Sequence, residues 1–197
     1  MKKLYSLFLF FFPFFVQAQS TYFVNQSAAN FGTGTSWVSA YNNLHAALKQ
    51  AVYGDQIWVA QGVYKPTDDN NRDSTFLLKN GIRLFGGFIG NETTINQRKI
   101  IQNTTIIDGN ISNLNDSLDN SYTLLFLENC DTATIVDGFT FQNGNANSTS
   151  ITDNYYGRQK CGGAIYIEAG DEKKGNPIIR NCFFANNNAQ YCGGAIY

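Results

Sequence analysis

The sequence predicts an all-β fold, a right-handed parallel β-helix with an amphipathic helix as its N-terminal cap. Three observations carry this prediction: an identical six-letter segment occurs twice, a longer element upstream of it also repeats, and many short β-rich runs are bounded by Gly, Asn or Asp. The 197 residues include 18 glycines, and glycine and asparagine both tolerate the positive φ of tight turns. The composition therefore favours short strands joined by sharp corners.

The identical segment is Cys-Gly-Gly-Ala-Ile-Tyr, which occupies positions 161–166 and again positions 192–197. The upstream element at 135–146 aligns with 178–189, at a wider spacing than the two copies of the segment. The spacings differ because the first copy carries a polar insertion within 147–160 that the second copy lacks. Insertions that leave the strand order unchanged are typical of solenoids, so we expect the two copies to stack as parallel strands.

A third, fainter copy begins at Thr105 and aligns with Thr134. This alignment stacks Asp108 on Asp137, with Arg180 at the equivalent position of the next turn. Two carboxylates beside an arginine suit Ca²⁺ binding or cleavage of a uronate polysaccharide, which makes these three the candidate catalytic residues and Ca²⁺ the candidate cofactor. The alternative, which the residues favour, is structural: each aspartate precedes a glycine, where a carboxylate satisfies the backbone N–H groups of a corner.

Residues 1–18 have the pattern of a secretory signal peptide, with two lysines before an apolar run over 4–16 and a small-residue cleavage site at Ala18. A membrane-spanning helix needs about 20 apolar residues, so the run is too short for a permanent anchor. We therefore expect the mature chain to begin at Gln19, to lack a transmembrane segment, and to be exported to the cell surface, the outer membrane or the medium.

Residues 19–54 are predicted to form the cap, a strand followed by an amphipathic helix over 41–53. Apolar residues recur there at helical spacing, and Gly54 follows the end of the pattern. A helix over the first turn would cover a sheet end with unpaired backbone groups. The turns of the β-helix are predicted for 55–197. Because no polar terminal repeat follows Tyr197, the chain is expected to be an incomplete piece of a longer protein.

An antiparallel β-sandwich and a propeller are the alternative architectures. Both use two-residue hairpin turns, and the Asp-Gly pairs at 108–109 and 137–138 fit that pattern. Their recurrence at equivalent positions of the repeat favours a corner between stacked strands.

Composition excludes several function classes. A net charge of −1 and a pI near 5.7 leave no basic surface spread over the chain, so no nucleic-acid partner is predicted. The sequence has no motif for a zinc hydrolase, and no resident cofactor is evident. Its single histidine, His45, lies on the predicted helix, where a packing role is favoured over that of a catalytic base.

The chain contains four cysteines. Cys161 and Cys192 hold equivalent positions of the identical segment and are expected to be neighbours inside the stack. Buried free thiols are the favoured interpretation. A disulfide between the two is the alternative, since stacked strands satisfy the Cα separation that a disulfide needs.

The polar insertion carries Tyr155, Tyr156 and Arg158. Such side chains can stack on sugar rings, which makes them candidate contacts for a carbohydrate. The favoured alternative is that they pack the insertion onto the strands.

Two sets of residues resemble a known family. Gly-Gly-Ala-Ile combined with Phe-x-x-Asn, at Phe183 to Asn186 and again one position later, resembles the polymorphic outer membrane protein repeat. The segments at 54–59 and 84–92 resemble the opening of exported pectin-lyase-like β-helix proteins of Bacteroidetes-type bacteria. The resemblance implies a pectin-lyase-like solenoid on the cell surface or in the medium. It is poorly specific for activity, because such repeats occur on adhesins and on other surface proteins.

The function expected from these features is that of an exported, non-enzymatic module, adhesin-like or structural, that meets a carbohydrate or a host or cell-surface protein. The alternative is a polysaccharide lyase or glycoside hydrolase of pectin-lyase-like fold. A purely structural spacer is the third hypothesis.

Overall fold

The computed structural model describes residues 18–29, 32–112, 116–150, 154, 156–170 and 175–197. Apart from Ala18, the predicted signal peptide therefore lies outside the described residues. The strands are short: β1 (Thr21–Val24), β2 (Gln56–Ala60), β3 (Gly62–Tyr64), β4 (Phe76–Leu78), β5 (Arg83–Phe88), β6 (Thr105–Asp108), β7 (Leu125–Glu128), β8 (Ile135–Asp137), β9 (Phe139–Gln142), β10 (Asn145–Ala146), β11 (Ile165–Glu168), β12 (Ile178–Arg180), β13 (Phe183–Ala185) and β14 (Asn188–Ala189). The helices are α1 (Leu44–Gln50) and the 3-10 turns Ile95–Gln97 and Ser117–Asp119.

The strands form parallel sheets that the chain visits in a fixed order. Sheet A contains β1, β2, β5, β8 and β12, sheet B contains β3, β6, β9 and β13, sheet C contains β4, β7 and β11, and β10 pairs with β14. All of these pairs are parallel. From β2 onward the chain passes from sheet A to B to C and then returns to A. The prediction of parallel strands with little helix is confirmed, and the antiparallel alternatives are wrong for the described strands.

The register confirms both repeats. Cys161 lies opposite Cys192, as the two copies of the identical segment predict. Asn145 lies opposite Asn188 and Asp137 opposite Arg180, as the alignment of the longer element predicts. The described residues of the polar insertion in the first copy lie outside these pairs, as its composition indicates.

The fainter third copy is aligned incorrectly, and the predicted stack of Asp108 on Asp137 is wrong. Asp108 belongs to sheet B, where it lies opposite Gln142. Asp137 belongs to sheet A, where its neighbours are Phe85 and Arg180. An Ile-Ile-Asp-Gly or Ile-Val-Asp-Gly sequence ends a strand and begins a corner in any sheet, so this local pattern does not say which sheet the strand joins.

Helix α1 is shorter than predicted, Leu44–Gln50 instead of 41–53. The Asn43 side chain accepts the His45 N–H and so caps the helix at its N-terminus, whereas Ala51 already has an extended backbone with ψ of 143°. The buried face of α1 packs against β1, β2 and β4. Within the described residues, no helix is long and apolar enough to cross a bilayer.

The larger apolar core runs along the sheets from Leu44 of α1 to Ile165 of β11, and a smaller one contains Trp58, Phe85 and Phe88. The side chains of the larger core come from alternate positions of the strands, as in β9, where Phe139 and Phe141 are buried and the residues between and after them are partly exposed. Phe141 stacks on Phe184 of the next strand with ring centroids 5.5 Å apart. Among the described residues, the largest fully buried side chains are Phe76, Phe88, Phe139, Phe141, Leu44, Ile57, Leu78, Ile82, Leu84, Ile107, Leu124 and Leu125.

The paired glycines of the repeat have two different physical roles. Gly162 and Gly193 have φ of 68° and 54°, in the left-handed region that side chains with a Cβ rarely adopt. Gly163 instead lies so close to the next strand that a Cβ would contact the carbonyl oxygens of Asn188 and Gly194. The first glycine therefore permits the bend, and the second permits the close approach of the stacked backbones.

We expect Gly163→Ala to lower the free energy of unfolding by about 2–3 kcal/mol, because the methyl group has no space between two rigid backbones. Urea unfolding measures the change. Gly170→Ala is the matched control, since Gly170 is exposed and its Cβ would meet a single side-chain atom at 3.3 Å, so we expect it to cost less than about 0.5 kcal/mol. Equal costs for the two variants would contradict the role assigned to Gly163.

Candidate functional site

A groove of about 570 Å³ lies between the β5–β6 loop and the corner that joins β12 to β13. Both sides contribute apolar and cationic side chains. The groove lies beside Asp137 and Arg180, two of the three residues that the sequence nominates. Its lining residues are Ile95, Asn96, Arg98, Ile100, Ile101, Gln102, Arg180, Asn181 and Phe183.

Local hydrogen bonds hold the β5–β6 loop in place. The Glu92 carboxylate accepts the N–H groups of Ile89, Gly90 and Asn91 at 2.7, 3.0 and 3.1 Å. Further along, the Lys99 N–H donates to the Gly87 carbonyl at 2.8 Å. The loop is therefore anchored on both sides of Arg98, whose side chain is directed towards sheet A.

Asp137 is a buried carboxylate with a complete set of partners. Its side chain is 0% exposed, and Oδ2 accepts Arg98 Nη2–H at 2.7 Å and Arg180 Nε–H at 2.8 Å. Oδ1 accepts Asn181 Nδ2–H at 2.9 Å. Burial by itself opposes ionisation, but the hydrogen bonds from Arg98, Asn181 and Arg180 outweigh it and hold the pKa of Asp137 below its usual value. Asp137 is thus a fixed anion that orients two arginines.

The Arg98 guanidinium is nearly buried, and its contacts are with other groups of the protein. Its Nη1–H points at the carbonyl oxygens of Gly86 and Asp137, at 3.4 and 3.3 Å, and its guanidinium lies 5.2 Å from the centre of the Phe85 ring. The side chain is 13% exposed. Arg98 therefore closes the site against solvent and neutralises Asp137.

Arg180 differs from Arg98 because half of its side chain, 52%, is exposed. Its Nε–H is held by Asp137, whereas none of the described residues accepts a hydrogen bond from its terminal nitrogens. Beside it in the groove are Phe183, 59% exposed, and Ile101, 79% exposed. The groove thus presents an oriented guanidinium beside apolar surface, with two cations around one buried anion.

Asn181 allows the corner to form at this position. Its φ of 52° is in the left-handed region, and the equivalent corner one turn earlier uses Gly138, with φ of 88°. Asparagine tolerates this conformation better than other residues with a side chain. Sequence reasoning identified Asp137 and Arg180 from the repeat but missed Asn181, for which the recurring corner was the available signal. It also missed Arg98, because the β5–β6 loop belongs to no repeat.

Asp108 does not line the groove. Its Oδ1 accepts the Asn110 N–H at 3.0 Å and Asn143 Nδ2–H at 2.9 Å, and its Oδ2 accepts Gln142 Nε2–H at 3.0 Å. All of these donors are neutral and belong to its own corner or the next one. This arrangement matches the structural interpretation of the Asp-Gly pair.

Two of the candidate carbohydrate contacts hold the inserted loop. Arg158 forms an ion pair with Asp73 at 2.9 Å and donates to its carbonyl oxygen at 2.8 Å. The carbonyl of Tyr156 accepts the Tyr166 hydroxyl at 2.8 Å. Tyr155 lies outside the described residues. These contacts favour the packing interpretation, while carbohydrate contact by the three residues stays a prediction.

His45 has structural partners. Its Nε2 lies 2.8 Å from the Pro66 carbonyl oxygen, and its ring lies 4.5 Å from that of Phe76. This geometry matches the packing role expected from the sequence. Among the described residues, no three His, Cys, Asp or Glu side chains are grouped so that they could hold a metal ion. Ca²⁺ binding stays a prediction, without the Asp108–Asp137 stack that suggested it.

We expect Asp137→Asn to lower the free energy of unfolding by about 3 kcal/mol, because it leaves the nearly buried Arg98 guanidinium without a counter-charge. Asp108→Asn is the matched control. Its partners are uncharged, so we expect a loss of about 1 kcal/mol. Urea unfolding at neutral pH compares the two, and an equal loss would mean that the arginines do not depend on Asp137.

The lowered pKa of Asp137 predicts a pH dependence. A carboxyl whose pKa is lower in the folded state stabilises the fold above its unfolded pKa, and this stabilisation is lost as the pH falls through the folded pKa. The difference in unfolding free energy between the natural protein and Asp137→Asn should therefore shrink from about pH 4 downward. Urea unfolding of both proteins at a series of pH values measures this difference. A difference that stays constant under acid would contradict the assignment.

Comparisons with protein-family models, curated proteins and solved structures return no match for this chain. The resemblance to the polymorphic outer membrane protein repeat thus stays a prediction that rests on the residues quoted for it.

Proposed function

We propose that this chain belongs to an exported surface protein of parallel β-helix architecture and that it acts as a non-enzymatic, adhesin-like module that binds an acidic carbohydrate. The observation that carries the binding role is the Arg180 guanidinium, which a buried carboxylate orients and which lines the groove. Export is proposed from the leader pattern of residues 1–18.

The cyclic order of the sheets supports the β-helix. A chain that passes through three parallel sheets in the same order, and adds one strand to each on every pass, is expected to wind as a coil. Connections between parallel strands of one sheet are nearly always right-handed. The proposed coil is therefore right-handed, with α1 at the end that starts with β1.

The state of Asp137 supports binding in preference to hydrolysis or elimination. A general acid must hold a proton, whereas the pKa of Asp137 lies below its usual value. A general base must have a lone pair free for the substrate, whereas both oxygens of Asp137 already accept hydrogen bonds from three side chains. Among the described residues that line the groove, none is acidic. The paired carboxylates of a glycosidase therefore find no support here.

The surroundings of Arg180 favour an acidic sugar as the ligand. A guanidinium pairs with a carboxylate or sulfate through two parallel hydrogen bonds. Phe183 offers an exposed ring on which a sugar face can pack, and Ile101 extends the apolar surface. The net positive charge around Asp137 would attract such a ligand and repel a cationic one.

We expect the protein to bind acidic glycans on an array without releasing new reducing or unsaturated ends, and Arg180→Ala to weaken that binding at least tenfold. An ion pair with a desolvated guanidinium supplies differences of this size. Arg83→Ala is the matched control, because Arg83 is a partly exposed arginine of the same sheet whose Nη2–H donates to the Gly54 carbonyl, away from the groove. Each variant is checked by thermal unfolding.

Two outcomes would contradict the proposal. Release of new chain ends that is lost in Asp137→Asn would make the protein a polysaccharide lyase or hydrolase. Glycan binding that Arg180→Ala and Arg83→Ala reduce equally would place the ligand elsewhere on the surface.

A further inference from the structure

Cys161 and Cys192 lie opposite each other on neighbouring turns of the chain, next to the strands. The two residues form a parallel bridge, and the N–H of Gly162 donates to the Cys192 carbonyl at 3.0 Å. Both thiols are free. Neighbouring parallel strands lie about 4.8 Å apart, which is within the Cα separation of about 4.4–6.8 Å that disulfides use. The register therefore places the two Cα atoms at a separation that a disulfide can span.

The other two cysteines have no such neighbour. The Cys130 thiol lies 3.5 Å from the Leu78 carbonyl oxygen, and the Cys182 thiol lies 3.2 Å from that of Arg180. Exposure also separates the four residues. Cys161 and Cys130 are fully buried, whereas Cys192 and Cys182 are partly exposed. The Cys161–Cys192 pair thus combines one partly exposed thiol with one buried thiol on the residue that lies opposite it.

We propose that Cys161 and Cys192 are a site of oxidative cross-linking, at which a disulfide oxidant converts the free thiols into one intramolecular disulfide. The inference goes beyond the proposed binding function and does not depend on it. It requires the observed register and contact with a disulfide oxidant. The export predicted by residues 1–18 would supply an oxidising environment.

The reaction proceeds by two thiol–disulfide exchanges. The Cys192 thiol loses its proton, and its sulfur attacks one sulfur of the oxidant R–S–S–R, which breaks that bond and releases R–S⁻. The Cys161 sulfur then loses its proton and attacks the Cys192 sulfur, which breaks the mixed disulfide and releases the second R–S⁻. The two thiolates that leave take up the two protons. The cysteine pair is oxidised by two electrons, and the oxidant is reduced to two thiols.

The order of these steps follows from accessibility. Cys192 is partly exposed and can meet the oxidant, whereas Cys161 is enclosed. Burial, together with the neighbouring Cys192 thiol, raises the pKa of Cys161 to about 11, so this thiol is protonated at neutral pH and is not the first to attack the oxidant. The product closes a loop that contains β11 to β14 and ties the β12–β14 turn to the turn before it.

The experiment treats the full chain with oxidised glutathione, blocks the remaining thiols by alkylation and identifies linked peptides by mass spectrometry. Digestion uses chymotrypsin, because no Lys or Arg lies between Cys182 and Cys192 and trypsin would leave both in one peptide. We expect one linked pair, Cys161 with Cys192, and no link within the protein that involves Cys130 or Cys182. The same oxidation in urea is the control, and there we expect all three pairings that four cysteines allow.

Two variants test the mechanism. In Cys161→Ser we expect the chain to stop at a glutathione adduct on Cys192, and in Cys192→Ser we expect Cys161 to resist the oxidant while the chain is folded. Cys182→Ser is the matched control, because Cys182 is partly exposed like Cys192 but has no cysteine neighbour, and the 161–192 link should form normally in it. The proposal is overturned if Cys161 and Cys192 remain alkylatable after oxidation, or if the folded chain gives the same mixture of pairings as the chain in urea.

Discussion

The in-register stacking of parallel strands is the constraint on which the rest of this structure depends. Because equivalent residues lie opposite each other, a side chain that suits one turn must also suit its neighbour. Phe141 stacks on Phe184, and Asn188 Nδ2–H donates to Asn145 Oδ1 at 2.9 Å. The close backbone approach at Gly163 follows from the same register. Like residues therefore recur because stacked strands share one environment.

One column of sheet A, meaning the residues that lie opposite one another on successive strands, changes from aromatic to charged side chains. The candidate site lies where this change occurs. Trp58 lies opposite Phe85, Phe85 opposite Asp137, and Asp137 opposite Arg180. The aromatic end of the column belongs to an apolar cluster with Phe88, whose ring stacks on Trp58 at 4.8 Å. The charged end begins where Arg98 lies over Phe85. The change from aromatic to ionic neighbours creates a charged site beside an otherwise apolar surface.

Burial of the Asp137 carboxylate would be costly without compensation. Two guanidinium groups and one amide provide it, and the planar fork of arginine allows Arg98 to hold the carboxylate and two backbone carbonyls at once. Arg180 contributes only Nε–H to this arrangement. The stability of the corner and the availability of a binding group therefore come from the same ionic cluster.

Much of the strand arrangement follows from the sequence. The spacings of the two repeats correctly predict which residues of β8, β9 and β10 lie opposite those of β12, β13 and β14. The identical segments at 161–166 and 192–197 also correctly predict that Cys161 lies opposite Cys192. These features are predictable because a repeat specifies both the local conformation and its neighbour.

The sequence by itself determined the short strands, the parallel pairing of the repeated turns and the nomination of Asp137 and Arg180. Only the tertiary structure decided that Asp108 belongs to a different sheet and that Arg98 completes the site. The physical reason that Arg98 could not be predicted is that long-range contacts fix the path of the β5–β6 loop. One of them is the hydrogen bond from Trp37 Nε1–H to the Glu92 carbonyl at 2.9 Å. Two residues far apart in sequence meet there, and no local pattern or repeat encodes such a contact.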